Sequence, residues 1–138
     1  IEYLSTHSDF HYLLDEGIEC AGLYIYGSPW QPYFYNWAFN LQRGTQCIEK
    51  WKEIPEQTDV LLTHGPPLGH GDLCASGMRA GCVDLLLEIQ NRICPKLHVF
   101  GHIHEGAGIT TDGQTVFVNA SSCDLSYRTS HPVLYWDL

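Results

Sequence analysis

Basic residues are scarce: seven Lys and Arg stand against sixteen Asp and Glu, a formal charge of -9. A surface of that sign repels polyanions and offers no stripe to a phosphate backbone, which argues against long DNA or RNA as a partner. Long apolar runs are missing as well. Nothing approaches the ~20 residues of a membrane span, and no basic-then-apolar leader opens the chain, which starts at Ile1, so no membrane association is expected. No C-x-x-C pair occurs among the six cysteines (Cys20, Cys47, Cys74, Cys82, Cys94 and Cys123), which are spread among apparent core segments. Reduced thiols and a cytoplasmic location are therefore expected over a disulfide framework. No repeat, low-complexity tract or linker divides the 138 residues, so residues 1–138 read as a single domain, and 44% hydrophobic content is enough for a core.

Two histidine loops organise what is there. Thr63-His64-Gly65-Pro66-Pro67 follows the apolar run Asp59 to Leu62, and Gly101-His102-Ile103-His104-Glu105-Gly106 follows Lys96 to Phe100. Each run reads as a buried strand, with an amphipathic helix from about Ala80 to Ile93 between them. Its face is drawn through Val83, Leu86, Leu87, Gln90 and Ile93, and Pro95 closes it. A strand-helix-strand unit makes the strands parallel and brings their carboxyl ends to one sheet edge, where open α/β sheets bind ligands. Neighbouring strands are roughly 5 Å apart, so His64, His102 and His104 are expected to converge as nitrogen ligands to metal. Asp72 and Cys74 in the intervening loop are possible additional ligands.

The remaining segments are assigned more simply. Asp9 to Leu14 and Ile18 to Tyr26 read as a hairpin around Asp15-Glu16-Gly17. Gly44 to Ile54 reads as a helix of about three turns, burying Cys47, Ile48, Trp51 and Ile54, with Glu49, Lys50, Lys52 and Glu53 as a solvated face. Gly108 to Thr111 and Thr115 to Asn119 flank the turn Asp112-Gly113-Gln114, and Val133 to Trp136 reads as a last strand. Trp30 to Phe39 holds six aromatic residues in ten positions. Packing is favoured for these rings over stacking on a base, though Trp30 stays a candidate for substrate contact, as do His70 and Asn119. His7, His11, His98 and His131 read as packed or surface residues. Asp9-Phe10-His11 has a metal-binding Asp-x-His form inside a strand-like stretch and reads as a chance match.

The two histidine loops together resemble the last two motifs of the calcineurin-like metallophosphoesterases. Gly27-Ser28-Pro29-Trp30, Phe39 to Gly44, Pro95 to Gly101 and Val118-Asn119-Ala120-Ser121 look like a subgroup, the metallophosphoesterase-domain-containing proteins related to class III cyclic nucleotide phosphodiesterases. The resemblance implies an α/β fold, a mixed β-sheet or sandwich flanked by helices, of which this chain is the C-terminal half. It also implies a binuclear site of two divalent ions (Mn, Fe or Zn) acting on a small phosphodiester or nucleotide. Carried over by position, His64 and His102 resemble ligands of the second ion and His104 a ligand of the first. The family's earlier Asp-x-His, Gly-Asp and Gly-Asn-His-Asp/Glu motifs have no counterpart in the right order, so the catalytic histidine is unknown here. Two other readings stand beside the hydrolase: a non-catalytic remnant that binds nucleotide or protein, and a mononuclear protein with a structural histidine site.

Overall fold

In a computed structural model, which describes residues 10–137, the β-branched and aromatic runs assemble into one large and one small sheet. The large sheet has the spatial order β1 (Glu16–Cys20), β2 (Leu23–Ser28), β5 (Val60–Thr63), β6 (Leu97–Phe100), β8 (Val116–Asn119), β7 (Gly108–Thr111). Its four inner strands run parallel, and β1 and β7 close the edges antiparallel. β3 (Gln31–Pro32) and β4 (Asn40–Leu41) form a short parallel pair of their own. Among the described residues two α-helices complete the mixed α/β fold, α1 (Thr45–Trp51) and α2 (Val83–Glu88), the latter continued by a π-helical turn over Ile89–Ile93. No described helix is long and apolar enough to cross a membrane.

Alternation along the strands decides what enters the core. Tyr26, Leu61, Phe100 and Phe117 point from the sheet into one cluster with Cys47, Trp51, Ile54, Cys82, Leu85, Ile89 and Ile93 from the helical layer. His98 shares the buried face of β6 with Phe100 and passes a hydrogen bond between its Nε2 and Thr63 Oγ1 at 2.8 Å. Burial, then His70, pushes its imidazole down to about 3, so it packs as a neutral ring. Arg92 joins the π-helical turn to α1, donating to the Ile54 and Trp51 carbonyls at 2.7 and 2.9 Å and pairing with Glu88.

Four expectations need correction. The first hairpin turns at Ala21-Gly22, not at residues 15–17. Both turn residues have positive φ, 52° and 79°, the backbone of a tight two-residue connection. Residues 10–14 form no strand, and Asp9 and His7 lie outside the described residues. Asp15 instead accepts hydrogen bonds from Ser28 Oγ and Trp30 Nε1, both at 2.7 Å, and from Lys50 Nζ at 3.1 Å. Burial raises its pKa, but these donors outweigh it and hold the carboxyl below its ordinary value.

The second correction concerns α2, which buries Leu85, Ile89 and Ile93 and leaves Val83 and Leu87 exposed, a face rotated from the one expected. The third concerns α1, which spans seven residues and leaves Ile48 exposed, and whose Lys50 is no bystander on a solvated face. It bridges Asp15 and Glu53 and sits 5.1 Å over the Trp30 ring. Finally, Val133 to Trp136 forms no strand and lies largely exposed over the sheet face carrying Leu97, Val99 and Val118.

Phe117 is the test of this core, because it is fully enclosed and carries the His70 ring stacked on it at 3.7 Å between centroids. Phe117→Ala is expected to cost about 3–5 kcal/mol through lost burial and the cavity left behind. The check is the shift of the urea midpoint at unchanged slope.

Candidate metal centre

The register Leu61↔His98 and Leu62↔Val99 makes β5 and β6 end side by side, so the chain leaves both at one edge. There the Gly101 N–H donates to the His64 carbonyl at 3.0 Å, which ties the two loops together by backbone. His64 Nε2 and His102 Nδ1 come to 3.1 Å, with ring centroids 4.8 Å apart. His102 holds φ at 71°, a left-handed backbone that costs a non-glycine residue about 1–3 kcal/mol. Burial pushes the His64 imidazole down. The same cause, then His64 and His104, pushes His102 down to about 4. Both rings are therefore neutral near pH 7, the form that ligates metal.

The pair passes a geometric test for a shared ion. Two imidazole nitrogens each about 2.1 Å from one ion, at adjacent coordination positions, lie about 3.0–3.4 Å apart, which brackets the length of the hydrogen bond the two rings form here. His104 stands apart from the pair. Its Nδ1 lies 3.0 Å from the Asp124 carbonyl, which can only accept, so Nδ1 carries a proton and Nε2 is the nitrogen turned away from that bond. Among the described residues, the group of three potential ligand atoms within 4.8 Å of one another is Cys47, Cys82 and Asp84, not the three histidines. Asp72 is also elsewhere: it is buried, accepting Arg79 Nη1 at 2.6 Å and the Gly81 N–H at 3.3 Å.

A cavity of about 330 Å³ opens beside His102, lined by Gly65, Pro66, Ile103, Tyr33, Phe34, Arg43, Cys74 and Met78 among others. A larger one of about 580 Å³ lies on the far sheet face under Val133 to Trp136, is mostly apolar, and does not reach the paired histidines. The smaller cavity is the one with chemistry at its wall. Phe34 meets His102 edge to face at 4.8 Å and Trp37 at 5.2 Å. Tyr33, Tyr35 and Trp37 are well exposed, so most of the aromatic segment is presented, not packed as expected. Asn40 shapes this loop, accepting the Phe34 N–H and donating to the carbonyls of Phe34, Tyr35 and Trp37.

The three residues expected to touch substrate are committed elsewhere. Trp30 is held by Asp15 and packs edge to face on Phe39 at 5.5 Å. His70 stacks on Phe117 and bonds Thr110 Oγ1 at 2.9 Å. Asn119 is 1% exposed and donates both amide hydrogens, to the Gly71 and Ile103 carbonyls at 2.8 Å each, while its Oδ1 accepts the Ser121 N–H. It clamps the His70 loop to the His102 loop. The fit is close enough that a Cβ on Gly106 would run into the Gly71 carbonyl oxygen.

Removing that clamp leaves the part-buried Gly71 carbonyl without its donor and the Ile103 carbonyl with the Gly106 N–H alone. Asn119→Ala is expected to destabilise the fold by about 1–3 kcal/mol for an orphaned buried polar group and to weaken divalent metal binding as the His102 loop loosens. Thermal denaturation and metal titration of the variant beside the wild type check both effects.

No family model matches the chain. It is 54% identical over 128 residues to human Metallophosphoesterase domain-containing protein 1, a match covering 92% of this chain and 39% of that protein. A UPF0046 protein of Caenorhabditis elegans is 53% identical over 127 residues, covering 92% of this chain and 32% of its own length. The chain thus spans less than half the length of these curated relatives. A solved structure superposes with a TM-score of 0.63 at 18% identity, over 87% of this chain and 49% of that one, a likeness of fold.

Proposed function

We propose, for a chain related along nearly its whole length to the metallophosphoesterase-domain-containing proteins, that it supplies the histidine side of a metal-dependent phosphoester hydrolase site. High identity over 92% of the chain and a span of 39% of the human relative fit the C-terminal part of a metallophosphoesterase. The observation that carries the proposal is the His64–His102 pair, two neutral imidazoles 3.1 Å apart at the ends of adjacent parallel strands.

His64 and His102 would hold one divalent ion of the Mn, Fe or Zn kind and His104 Nε2 a second. Divalent ions bound there supply Lewis-acid polarisation of a phosphoryl oxygen and activation of water. The protein's own part is positioning. The backbone bond from Gly101 to His64 fixes the spacing of the two loops, and the Asp124 carbonyl fixes the tautomer of His104. Phe34 walls the cavity beside His102 and, with Tyr33 and Trp37, offers flat apolar surface to an aromatic group on the substrate. A small phosphodiester, including a cyclic nucleotide, suits a cavity of that size, whereas the charge of -9 disfavours a long polyanion. The spread of the six cysteines without a C-x-x-C pair is the basis for placing the chain in a reducing, cytoplasmic setting.

The exposed aromatic loop favours one competing reading, nucleotide or protein binding without turnover. Full-length His102→Ala separates the two. The hydrolase reading expects a folded protein by circular dichroism, partial loss of metal, and turnover of a generic phosphodiester reduced by more than about tenfold, or about 1.4 kcal/mol of transition-state stabilisation. Unchanged turnover with unchanged metal content would remove His102 from the site. Nucleotide binding that survives the substitution in a protein without turnover would support the competing reading.

A further inference from the structure

A second group of metal-ligating side chains lies away from the histidine edge. Cys47 in the first turn of α1, Cys82 just before α2 and Asp84 in the first turn of α2 bring their ligand atoms within 4.8 Å of one another. All three residues are buried, the cysteines at 0% and 1% exposure. Asp84 is the anomaly. A carboxylate in such a place is normally paired with a cation or bound to a metal, yet among the described residues no lysine or arginine forms an ion pair with it. Its recorded partner is the Gly44 N–H, at 3.0 Å to Oδ2.

We propose that Cys47, Cys82 and Asp84 form a structural site for a thiophilic divalent cation of the zinc class. Two thiolates and a carboxylate are a ligand set such an ion accepts, with one water completing four-coordination. Binding releases the two thiol protons to solvent, and the ion takes their place as the positive charge between the sulfurs. The Trp51 indole N–H donates to Cys82 Sγ at 3.3 Å, the kind of outer hydrogen bond that steadies a thiolate ligand. Charge balances as well: the guanidinium of Arg43, bound to the Ala80 and Gly81 carbonyls, adds one positive charge next to the group, and with a divalent ion it offsets three anionic ligands.

The site lies directly behind the histidine loop. The Cys82 N–H donates to the Pro66 carbonyl at 3.0 Å, and its carbonyl accepts the Leu68 N–H at 3.1 Å, so Cys82 is stitched on both sides to the segment that begins at His64. An ion here would brace α1, α2 and that loop against one another without touching the substrate cavity. The site is separate from the hydrolase reading and can fail or hold on its own.

The test uses the full chain, reduced and stripped of metal, titrated with Co²⁺. Sulfur-to-cobalt charge-transfer absorption in the near ultraviolet is expected, kept in the double variant His64→Ala/His102→Ala and lost in Cys47→Ser and Cys82→Ser. Asp84→Asn should retain the band but weaken uptake, because a neutral amide oxygen replaces a charged carboxylate ligand. Should a cysteine variant fail to fold, the wild type still decides, because bound Zn²⁺ should protect two thiols from a chromogenic disulfide reagent that the stripped protein lets through. Absence of the band at saturating Co²⁺ overturns the site. So does recovery of a Cys47–Cys82 disulfide from protein that takes up no metal after reduction.

Discussion

The parallel pairing of β5 with β6 is the constraint on which the rest depends. It sets Val60 opposite Leu97 and Leu62 opposite Val99, so both strands reach the sheet edge together and deliver Thr63-His64 and Gly101-His102 to the same place. Parallel ladders need a long crossover, and the chain from Gly65 to Lys96 supplies it by a glycine- and proline-rich loop followed by α2 and its π-helical turn. The core cluster of Leu85, Ile89, Ile93, Leu61 and Phe117 holds that crossover down on the sheet. Slipping the register by one residue would move His98 and Phe100 out of the core, so the burial of those two rings and the meeting of His64 with His102 are consequences of one alignment.

Beyond the strands the geometry depends on side chains that bond to backbone. Asn119, at the end of β8, reaches across to Gly71 and Ile103; Asn40, in β4, gathers the aromatic loop; Asp124 offers its carbonyl to His104. Loops carry polar backbone that must find partners when buried, and these residues provide them. Small residues do the rest. Gly71, at φ 57°, would meet the Asn119 Cβ at 2.8 Å if it had a Cβ of its own, so the two histidine-bearing loops approach only because glycine stands at the contact.

Much of this was legible in the residues. Runs such as Val60-Leu61-Leu62 and Leu97 to Phe100 are short, apolar and bounded by glycine or proline, and they form the strands they suggest; Asp112-Gly113-Gln114 likewise joins β7 to β8. What escaped depended on contacts distant in sequence. Asp15 looks like a turn residue until Ser28, Trp30 and Lys50 are seen to converge on it, while the true turn, Ala21-Gly22, carries a weaker signal. The face expected for α2 runs through Val83 and Leu87, whereas the buried stripe is Leu85, Ile89 and Ile93 at i, i+4 and i+8, and apolar residues on both sides of the helix leave composition unable to choose between them. Val133 to Trp136 has a strand's composition but pairs with no described strand, and composition cannot supply a partner. Asn119 has a polar side chain near a predicted site, and nothing in its type tells a substrate ligand from a loop clamp.

The histidines show how little in the sequence separates a packed ring from one at an open sheet edge. His98 and His102 are four positions apart on one segment, both shifted toward the neutral form by burial, yet their surroundings are opposite. His98 sits within β6, where the pleat turns it into the core between Phe100 and Phe117 and Thr63 takes its Nε2. Two residues past the end of that strand the pleat no longer applies. His102 adopts a left-handed backbone that points its ring at His64 and the edge of Phe34, toward a cavity open to solvent. Neutrality alone therefore does not tell the two apart; what differs is that the His102 ring nitrogen faces His64 Nε2 beside an open cavity. By the same reasoning the buried thiols of Cys47 and Cys82 gain meaning from Asp84 beside them, because two packed cysteines need no explanation and a buried carboxylate without an ion-pair partner does.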